Sequence, residues 1–231
     1  MAGRVFVITG GFGALGRALA GAVLSQGDRV ALVDYAKTPP AEAPAPGEDV
    51  LHVAGVDLTS AQAAQGALDE VAARFGGVDV LVNVAGGFRW QTLEDGDPGA
   101  WAALYSMNVL TAANMSRAAL GHLRRSRAGR IVNIGANAAL KAAAGMGAYA
   151  ASKAGVHALT QSLAEELKPS GVTVNAVLPS ILDTPANRAD MPDADVTAWV
   201  TPADVSEVIL FLASPGAQAV TGALVPVTGK L

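Results

Sequence analysis

The segment VFVITGGFGALG, residues 5–16, decides the fold, because it joins an apolar strand, a glycine-rich turn and the start of a helix. Gly11, Gly13 and Gly16 have the spacing G-x-G-x-x-G in this context. Glycines here let the backbone approach a pyrophosphate without a Cβ in the way, and the N-terminus of the following helix presents N–H groups to the phosphates. A glycine-rich turn that binds no ligand is the alternative. The segment predicts a strand, a turn and a helix that hold a dinucleotide.

Apolar, β-branched runs alternate with helical patterns along the rest of the chain. The predicted strands are Val5 to Thr9, Arg29 to Asp34, Val50 to Val56, Val78 to Asn83, Arg130 to Ile134, Val172 to Leu178 and Ala223 to Val227. The predicted helices are Ala14 to Gln26, Ser60 to Phe75, Trp101 to Arg124, Tyr149 to Lys168 and Pro202 to Ala213. Strict alternation favours right-handed crossovers and parallel strands covered on both faces. We therefore expect one domain over residues 1–231, an α/β, three-layer Rossmann fold with a doubly wound, mainly parallel seven-stranded sheet.

Two proline-containing stretches fit neither pattern. Residues 38–47 contain four prolines and are expected to form a surface loop after the second strand. Residues 179–200 form a second irregular stretch, which is long for a loop in a compact domain. Such a stretch is either disordered or a lid over a site, and we expect it to be the substrate loop.

Composition narrows the function classes. Hydrophobic residues make up 51% and charged residues 16% of the chain, which is typical of a compact fold. The net charge of −4 disfavours a surface for nucleic acid or an anionic membrane. There is no cysteine, and His52, His122 and His157 are scattered, so we expect neither a thiolate nucleophile nor a metal site. The apolar runs are too short to cross a membrane or to act as a leader, so a soluble cytoplasmic protein with a small-molecule substrate is expected.

Asp34 ends the second predicted strand, at a position where a carboxylate can accept hydrogen bonds from the ribose hydroxyls of the adenosine half. The same charge would repel a 2′-phosphate, so NAD(H) is the expected cofactor, ahead of NADP(H). A solvated Asp that merely ends a strand is the alternative. Asp57 ends the third strand, where it would contact the adenine or cap the helix that starts near Ser60.

Tyr149 and Lys153 lie four residues apart on a predicted helix, so their side chains share one face. A phenol with a pKa of about 10 is a poor acid or base at neutral pH, and a nearby ammonium lowers that pKa. The pair predicts a proton donor, Tyr149, activated by Lys153, which could also hold the nicotinamide ribose. An amphipathic helix with an ordinary Tyr and Lys is the alternative.

Over nearly its whole length the sequence resembles the short-chain dehydrogenase/reductase family. The matching elements are residues 9–16, Asp34, residues 83–86, Asn108, residues 149–153 and residues 179–184. The resemblance implies that Asn108 takes part in a proton relay beside Lys153. It also implies a set of cofactor contacts, formed by Gly10, Gly11, Phe12, Gly13, Leu15, Gly16, Asp34, Asp57, Leu58, Asn83, Ala85, Gly86, Tyr149, Lys153, Pro179, Ile181 and Thr184. Asn83 and Asn108 have an alternative interpretation as structural hydrogen-bonding residues.

Two positions depart from the pattern of that family. Ala14 replaces a glycine, and Ala136 stands thirteen residues before Tyr149, where the family has its catalytic serine. One branch, the quinonoid dihydropteridine reductases, shares both departures and is similar in the stretch LPSILDTP, residues 178–185. This resemblance implies NADH as the hydride donor, the Tyr/Lys pair without the serine, and a planar conjugated acceptor that takes a hydride readily.

The predicted substrate site comprises Ala136, Phe88 and Trp90. The two aromatic side chains would stack on a planar ring, or else pack on the domain as ordinary loop residues. Two other functions stay open: an NAD(P)H-dependent carbonyl reductase or alcohol dehydrogenase, and a dinucleotide-binding regulator without turnover. Tyr149 and Lys153 argue against the regulator, because a sensor needs no proton donor.

The helices predicted at 101–124 and 149–168 carry small and apolar residues beyond those needed to cover the sheet. The family often pairs these helices between subunits, so the resemblance implies a homodimer or homotetramer.

Overall fold

The computed structural model describes residues 3–231, in which seven strands form one sheet. The strands are β1 (Val5–Thr9), β2 (Arg29–Asp34), β3 (Val50–Ala54), β4 (Val80–Asn83), β5 (Arg130–Ile134), β6 (Thr173–Pro179) and β7 (Leu224–Val227). Their order across the sheet is β3-β2-β1-β4-β5-β6-β7, and every neighbouring pair is parallel. The predicted doubly wound α/β fold is confirmed, and its sheet is wholly rather than mainly parallel.

Helices cover both faces of this sheet. In the described part of the chain they are α1 (Ala14–Ser25), α2 (Ala61–Phe75), α3 (Gly99–Tyr105), α4 (Thr111–Arg125), α5 (Gly147–Leu167), α6 (Pro185–Asp190) and α7 (Pro202–Ala213). Helices α1 and α7 pack together over Phe6 and Ile8 of β1. Helices α2, α4 and α5 form the other core, over Val5 and Val7. Alternate residues of β1 thus enter opposite cores, because successive side chains of a strand point to opposite faces.

The strand order reverses between β1 and β4, since β2 and β3 extend the sheet on one side and β5 to β7 extend it on the other. Open α/β sheets bind ligands in the crevice outside the carboxyl ends of the strands at such a reversal. Thr9 and Asn83, the last residues of β1 and β4, are paired in register. Thr9 Oγ1 accepts a hydrogen bond from Ala85 N at 3.0 Å. The glycine-rich turn and residues 83–86 therefore meet at this crevice.

The helix predicted from Trp101 to Arg124 is divided in the structure. Helices α3 and α4 are joined by a π-helical turn, Ser106–Leu110, which inserts extra backbone into the helix. Asn108, in the middle of this turn, is 1% exposed and points into the protein. The sequence does not reveal the turn, because the apolar spacing is helical on both sides of it.

Residues 179–200 are more regular than the predicted loop. Helix α6 occupies their middle, and Thr184 caps it by accepting a hydrogen bond from Asn187 N at 3.2 Å. A bridge between Leu182 and Val200 closes the base of the segment. The segment is therefore a small helical flap rather than an irregular loop.

Residues 38–47 contain no helix or strand, as predicted for a surface loop. The Arg74 guanidinium donates to the carbonyl oxygens of Gly47 and Glu48 at 3.0 Å each, which fastens the end of the loop to α2. None of the helices in the described chain is long and apolar enough to cross a membrane.

Candidate active site

The glycine-rich turn forms a cradle that only glycine can build. Gly10 has a φ of +62°, which side chains disfavour. A Cβ on Gly16 would lie 2.4 Å from Gly10 O, and one on Gly11 would lie 2.7 Å from Leu32 Cβ. Gly13 precedes the first residue of α1 and places no side chain over the N-terminal N–H groups of that helix. The cradle therefore fits the pyrophosphate of a dinucleotide, whose negative charge the helix N-terminus favours.

Asp34 is fixed beside this cradle at the end of β2. Its Oδ2 accepts a hydrogen bond from Phe12 N and its Oδ1 accepts one from Ala36 N, both at 2.9 Å. The Phe12 ring itself is buried against the edge of the His52 ring, at 5.3 Å between centroids. Phe12 thus presents its backbone to the site, while its side chain belongs to the core.

Asp57 does not cap α2. The cap is Ser60, whose hydroxyl accepts from Ala63 N at 3.3 Å. Asp57 Oδ1 accepts from the Thr59 hydroxyl and N–H at 2.6 and 2.9 Å, and these bonds lower the pKa of the exposed Asp57 carboxyl. The side chain of Leu58 is buried in the core. A contact between Asp57 or Leu58 and the adenine remains a prediction.

Tyr149 and Lys153 lie on α5, and both side chains line one cavity. Lys153 is 5% exposed, and its Nζ donates to Ile134 O at 2.8 Å. Burial lowers the pKa of Lys153 to about 8 and raises the pKa of Tyr149 to about 12. The expected lowering of the phenol pKa is therefore absent in this structure, because desolvation dominates. At neutral pH Tyr149 is a protonated phenol that can donate to an acceptor, which suits an acid.

The Asn108 side chain is committed to the protein. Its Oδ1 accepts from Gly87 N at 2.9 Å, and its Nδ2 donates to Gly87 O at 3.1 Å and to Ser152 Oγ at 2.9 Å. Ser152 Oγ in turn donates to Tyr149 O at 2.7 Å. A Cβ on Gly86 would lie 2.4 Å from Asn108 Oδ1, which explains the glycine. Asn108 thus ties the segment after β4 to α5, and its part in a proton relay remains a prediction.

Asn83 lies below the cleft, in a buried hydrogen-bond network between strands. Its Nδ2 donates to Asn133 Oδ1 at 2.8 Å and to Ser116 Oγ at 3.1 Å, and Asn133 Nδ2 donates to Thr160 Oγ1 at 2.8 Å. The network links β4, β5, α4 and α5. Of the predicted contacts after β4, Gly86 lines the cavity, and Asn83 has the structural role that was its alternative interpretation.

One cavity of about 220 Å³ lies at the carboxyl ends of the central strands. It is lined by Leu15, Val84, Gly86, Gly87, Phe88, Ile134, Gly135, Tyr149, Lys153, Pro179, Ser180 and Leu182. Six of these residues are predicted site residues, and the cavity brings them together from four separate stretches of the chain. The other six, Val84, Gly87, Ile134, Gly135, Ser180 and Leu182, were not among the predicted site residues. All of them except Gly87 and Leu182 end a strand or directly follow one, which is the signal that could have found them. Ile181 and Thr184 do not line it.

Of the predicted substrate residues, Phe88 lines this cavity, whereas Trp90 and Ala136 do not. The Phe88 ring stands edge-on to the Tyr149 ring, at 4.9 Å between centroids and 86° between planes, and Phe88 is 54% exposed. Trp90 is 59% exposed, and its Nε1 donates to Ala144 O at 3.1 Å. Phe88 therefore presents an aromatic surface beside the proposed acid, whereas Trp90 joins the segment after β4 to the segment before α5.

Ala136 follows β5 and is 4% exposed. Its N–H donates to His157 Nε2 at 3.4 Å. His157 was not predicted as a site residue, although it lies on α5 four residues after Lys153 and therefore on the same face. Within the described residues, no three His, Asp or Glu side chains are grouped to hold a metal ion.

Comparison with known proteins places this geometry in a family. The model of the short chain dehydrogenases matches residues 4–195. A 3-oxoacyl-(acyl-carrier-protein) reductase of Vibrio cholerae is 31% identical, over 99% of this chain and 97% of its own. An acetoacetyl-CoA reductase of Shinella zoogloeoides is 32% identical, over 98% of this chain and 97% of its own.

A solved structure extends the similarity to the backbone. The 3-ketoacyl-(acyl-carrier-protein) reductase of Brucella melitensis, complexed with NADH, superposes with a TM-score of 0.88 at 27% identity, covering 99% of both chains. The chain therefore belongs to the short-chain dehydrogenase family and is an NAD(P)-dependent oxidoreductase.

Proposed function

We propose that this oxidoreductase transfers a hydride from NADH to a planar, conjugated quinonoid acceptor of the dihydropteridine type. The observation that carries the proposal is the pairing of a protonated, half-buried Tyr149 with Ala136, at the position where the family has its serine hydroxyl. An isolated ketone needs donors that polarise its carbonyl oxygen, whereas a quinonoid ring delocalises the incoming charge itself. A site with one phenolic donor suits the second kind of acceptor.

The surroundings of Tyr149 support a flat acceptor. Phe88 offers an exposed ring next to the phenol, against which a planar molecule can stack or make edge contacts. Bound NADH supplies the hydride. Tyr149 donates the proton to the reduced acceptor, and Lys153 as an ammonium favours the phenolate that is left.

Preference for NADH over NADPH rests on Asp34. The carboxylate is held by Phe12 N and Ala36 N at the end of β2, so it cannot swing away from a ribose placed beside the glycine-rich turn. A 2′-phosphate in that place would face a fixed negative charge. The related Brucella melitensis reductase is a complex with NADH, which agrees with this preference.

A second candidate function is reduction of a carbonyl compound. The names of the relatives favour it, since they reduce 3-oxoacyl groups and acetoacetyl-CoA. A dinucleotide-binding regulator without turnover is disfavoured, because Tyr149 and Lys153 both line the cavity.

The experiment is NADH oxidation with quinonoid dihydropterin and, in parallel, with acetoacetyl-CoA and simple aldehydes. We expect turnover of the pterin, and a loss of about 10²- to 10⁴-fold in kcat for Tyr149→Phe with NADH affinity retained. Ala136→Ser is the matched variant, and it should not raise pterin turnover. Turnover of the carbonyl compounds alone, increased by Ala136→Ser, would instead establish the second candidate.

We also propose that the protein is a homodimer or homotetramer. Trp101, Tyr105 and Leu110 are 42%, 49% and 37% exposed on α3 and the π-helical turn, which leaves apolar surface for a second copy. Light scattering coupled to size-exclusion chromatography would give the mass, and a monomer at micromolar concentration would contradict the proposal.

A further inference from the structure

His157 is buried on α5, one helical turn beyond Lys153, with 6% of its surface exposed. Lys153 Nζ donates to Ile134 O at 2.8 Å, and His157 Nε2 accepts from Ala136 N at 3.4 Å. Two consecutive inward side chains of α5 therefore hold the two ends of one three-residue stretch, 134–136. Its first two residues, Ile134 and Gly135, form a wall of the cavity that Tyr149 also lines.

The imidazole fills the space next to this wall. A Cβ on Gly135 would lie 2.5 Å from His157 Nε2 and 2.8 Å from His157 Cδ2. The Leu178 side chain, at 3.2 Å from the same point, closes the remaining side. The ring thus packs directly on the Gly135 backbone, which leaves the wall little freedom to shift.

The contact requires a neutral imidazole. Burial and then the positive charge of Lys153 lower the pKa of His157 below its usual value. The residues that meet the ring from β5 and β6, namely Gly135, Ala136 and Leu178, are uncharged. At neutral pH Nε2 is therefore a free acceptor for the Ala136 N–H, and protonation would turn it into a second donor facing that N–H.

We propose that His157 is a positioning residue for hydride transfer. Through the backbone of Ala136 it fixes the adjoining wall, Ile134 and Gly135, which lines the same cavity as Tyr149. This contact supplements the hydrogen bond from Lys153 Nζ to Ile134 O. The role concerns the wall and applies to either class of acceptor, so it does not depend on the identity of the substrate.

The first variants separate the acceptor atom from the volume of the ring. His157→Leu keeps an apolar side chain but removes the acceptor, whereas His157→Gln places an amide oxygen near the position of Nε2. Gly135→Ala leaves His157 intact and drives the wall away from it. We expect a fall in kcat of about tenfold for His157→Leu and for Gly135→Ala, and less than about threefold for His157→Gln, because small misplacements of reacting groups are costly. The affinity for NADH should change little in all three.

An activity-independent readout is amide hydrogen exchange at Ala136, measured in the full chain. Exchange should accelerate about tenfold in His157→Leu, as expected for the loss of one hydrogen bond, and should stay slow in His157→Gln. If the Ala136 amide exchanges at the wild-type rate in His157→Leu, the hydrogen bond from Ala136 N to His157 does not protect it, and the proposal is wrong. If the amide exchanges faster while kcat is unchanged, the hydrogen bond exists but does not position the reacting groups, and the proposal is again wrong. Absence of pterin turnover in the wild type refutes only the proposed acceptor, and kcat is then measured with acetoacetyl-CoA.

The pH profile gives a test that a purely structural role would not affect. Wild-type kcat should fall with decreasing pH below the lowered pKa of His157, as the ring protonates. His157→Gln cannot protonate and should lack this acid limb while folding as well as the wild type. An acid limb that is identical in both proteins would overturn the proposal.

Discussion

The two ends of the cleft are built from different parts of the chain. At the nucleotide end, backbone atoms form the site: Gly10, Gly11 and Gly16 leave no room for side chains, and backbone N–H groups hold Asp34. At the end proposed to bind the acceptor, the side chains of Tyr149, Lys153 and Phe88 line the cavity, and Phe88 is more than half exposed. A backbone site tolerates almost no substitution but is independent of the neighbouring sequence. A side-chain site can change without loss of the fold, which explains how relatives about 30% identical share one architecture while their names record different substrates.

The strongest test of this contrast is Gly16→Ala. Its Cβ would meet Gly10 O at 2.4 Å, so the cradle must open, and we expect NADH affinity to fall about 100-fold because the phosphate contacts depend on close backbone approach. The matched control is Gly21→Ala on the same helix, where no atom lies within 4 Å of the added Cβ. Fluorescence titration with NADH measures both. Equal affinities in the two variants would show that the nucleotide end is not built as described.

At the acceptor end, pH is the next most effective perturbation. Lys153 has a pKa of about 8 and must carry its proton to favour the Tyr149 phenolate, so kcat should fall about tenfold per pH unit above 8. The free energy of unfolding should instead increase as the pH rises through this range. Between about 8 and the ordinary lysine pKa the unfolded chain binds more protons, so this group adds stability as the pH rises. A kcat that stays flat to pH 10 would contradict the role of Lys153.

Asp34→Ser removes the carboxylate that is proposed to bind the ribose of the adenosine half. We expect NADH affinity to fall about tenfold and NADPH affinity to rise, because charge-assisted hydrogen bonds are lost and a repulsion is relieved. Asp57→Ser serves as the comparison, since that carboxylate is exposed and bonds to Thr59. Competition binding measures the ratio of the NADH and NADPH affinities. If Asp57→Ser alters the ratio as much as Asp34→Ser, the assignment of specificity to Asp34 is wrong.

Phe88→Ala should give the smallest of these effects, and it should alter binding of the acceptor only. We expect the KM for the acceptor to rise about fivefold through loss of aromatic contact, while NADH affinity stays constant. Leu93→Ala provides the control, because Leu93 is 84% exposed beyond the cavity. Steady-state kinetics at varied concentrations of both the acceptor and NADH gives the two KM values separately. A change in NADH affinity would mean that the two ends of the cleft are coupled.

The same contrast decides what sequence could predict. The glycine spacing, the alternation of strands and helices, and the pair Tyr149 and Lys153 depend on local patterns, and they gave the sheet and the residues of the cleft. The π-helical turn at Asn108 leaves no mark in apolar spacing, so the partners of Asn108 were not foreseen. His157 was set aside as one of three scattered histidines. Its position eight residues after Tyr149 places it on the same helical face, but only the packing against Gly135 gives it a partner.

Helix α5 places one side chain of the site on its inner face at each successive turn. Tyr149, Lys153, His157 and Thr160 follow one another on its inner face, and Thr160 Oγ1 receives the hydrogen bond that closes the network from Asn133. Each residue of an α-helix adds about 100° of rotation. Insertion or deletion of a single residue between Tyr149 and Thr160 would therefore turn one part of this row away from its partners. Homologues should vary freely at the outward positions of the segment while its length stays constant.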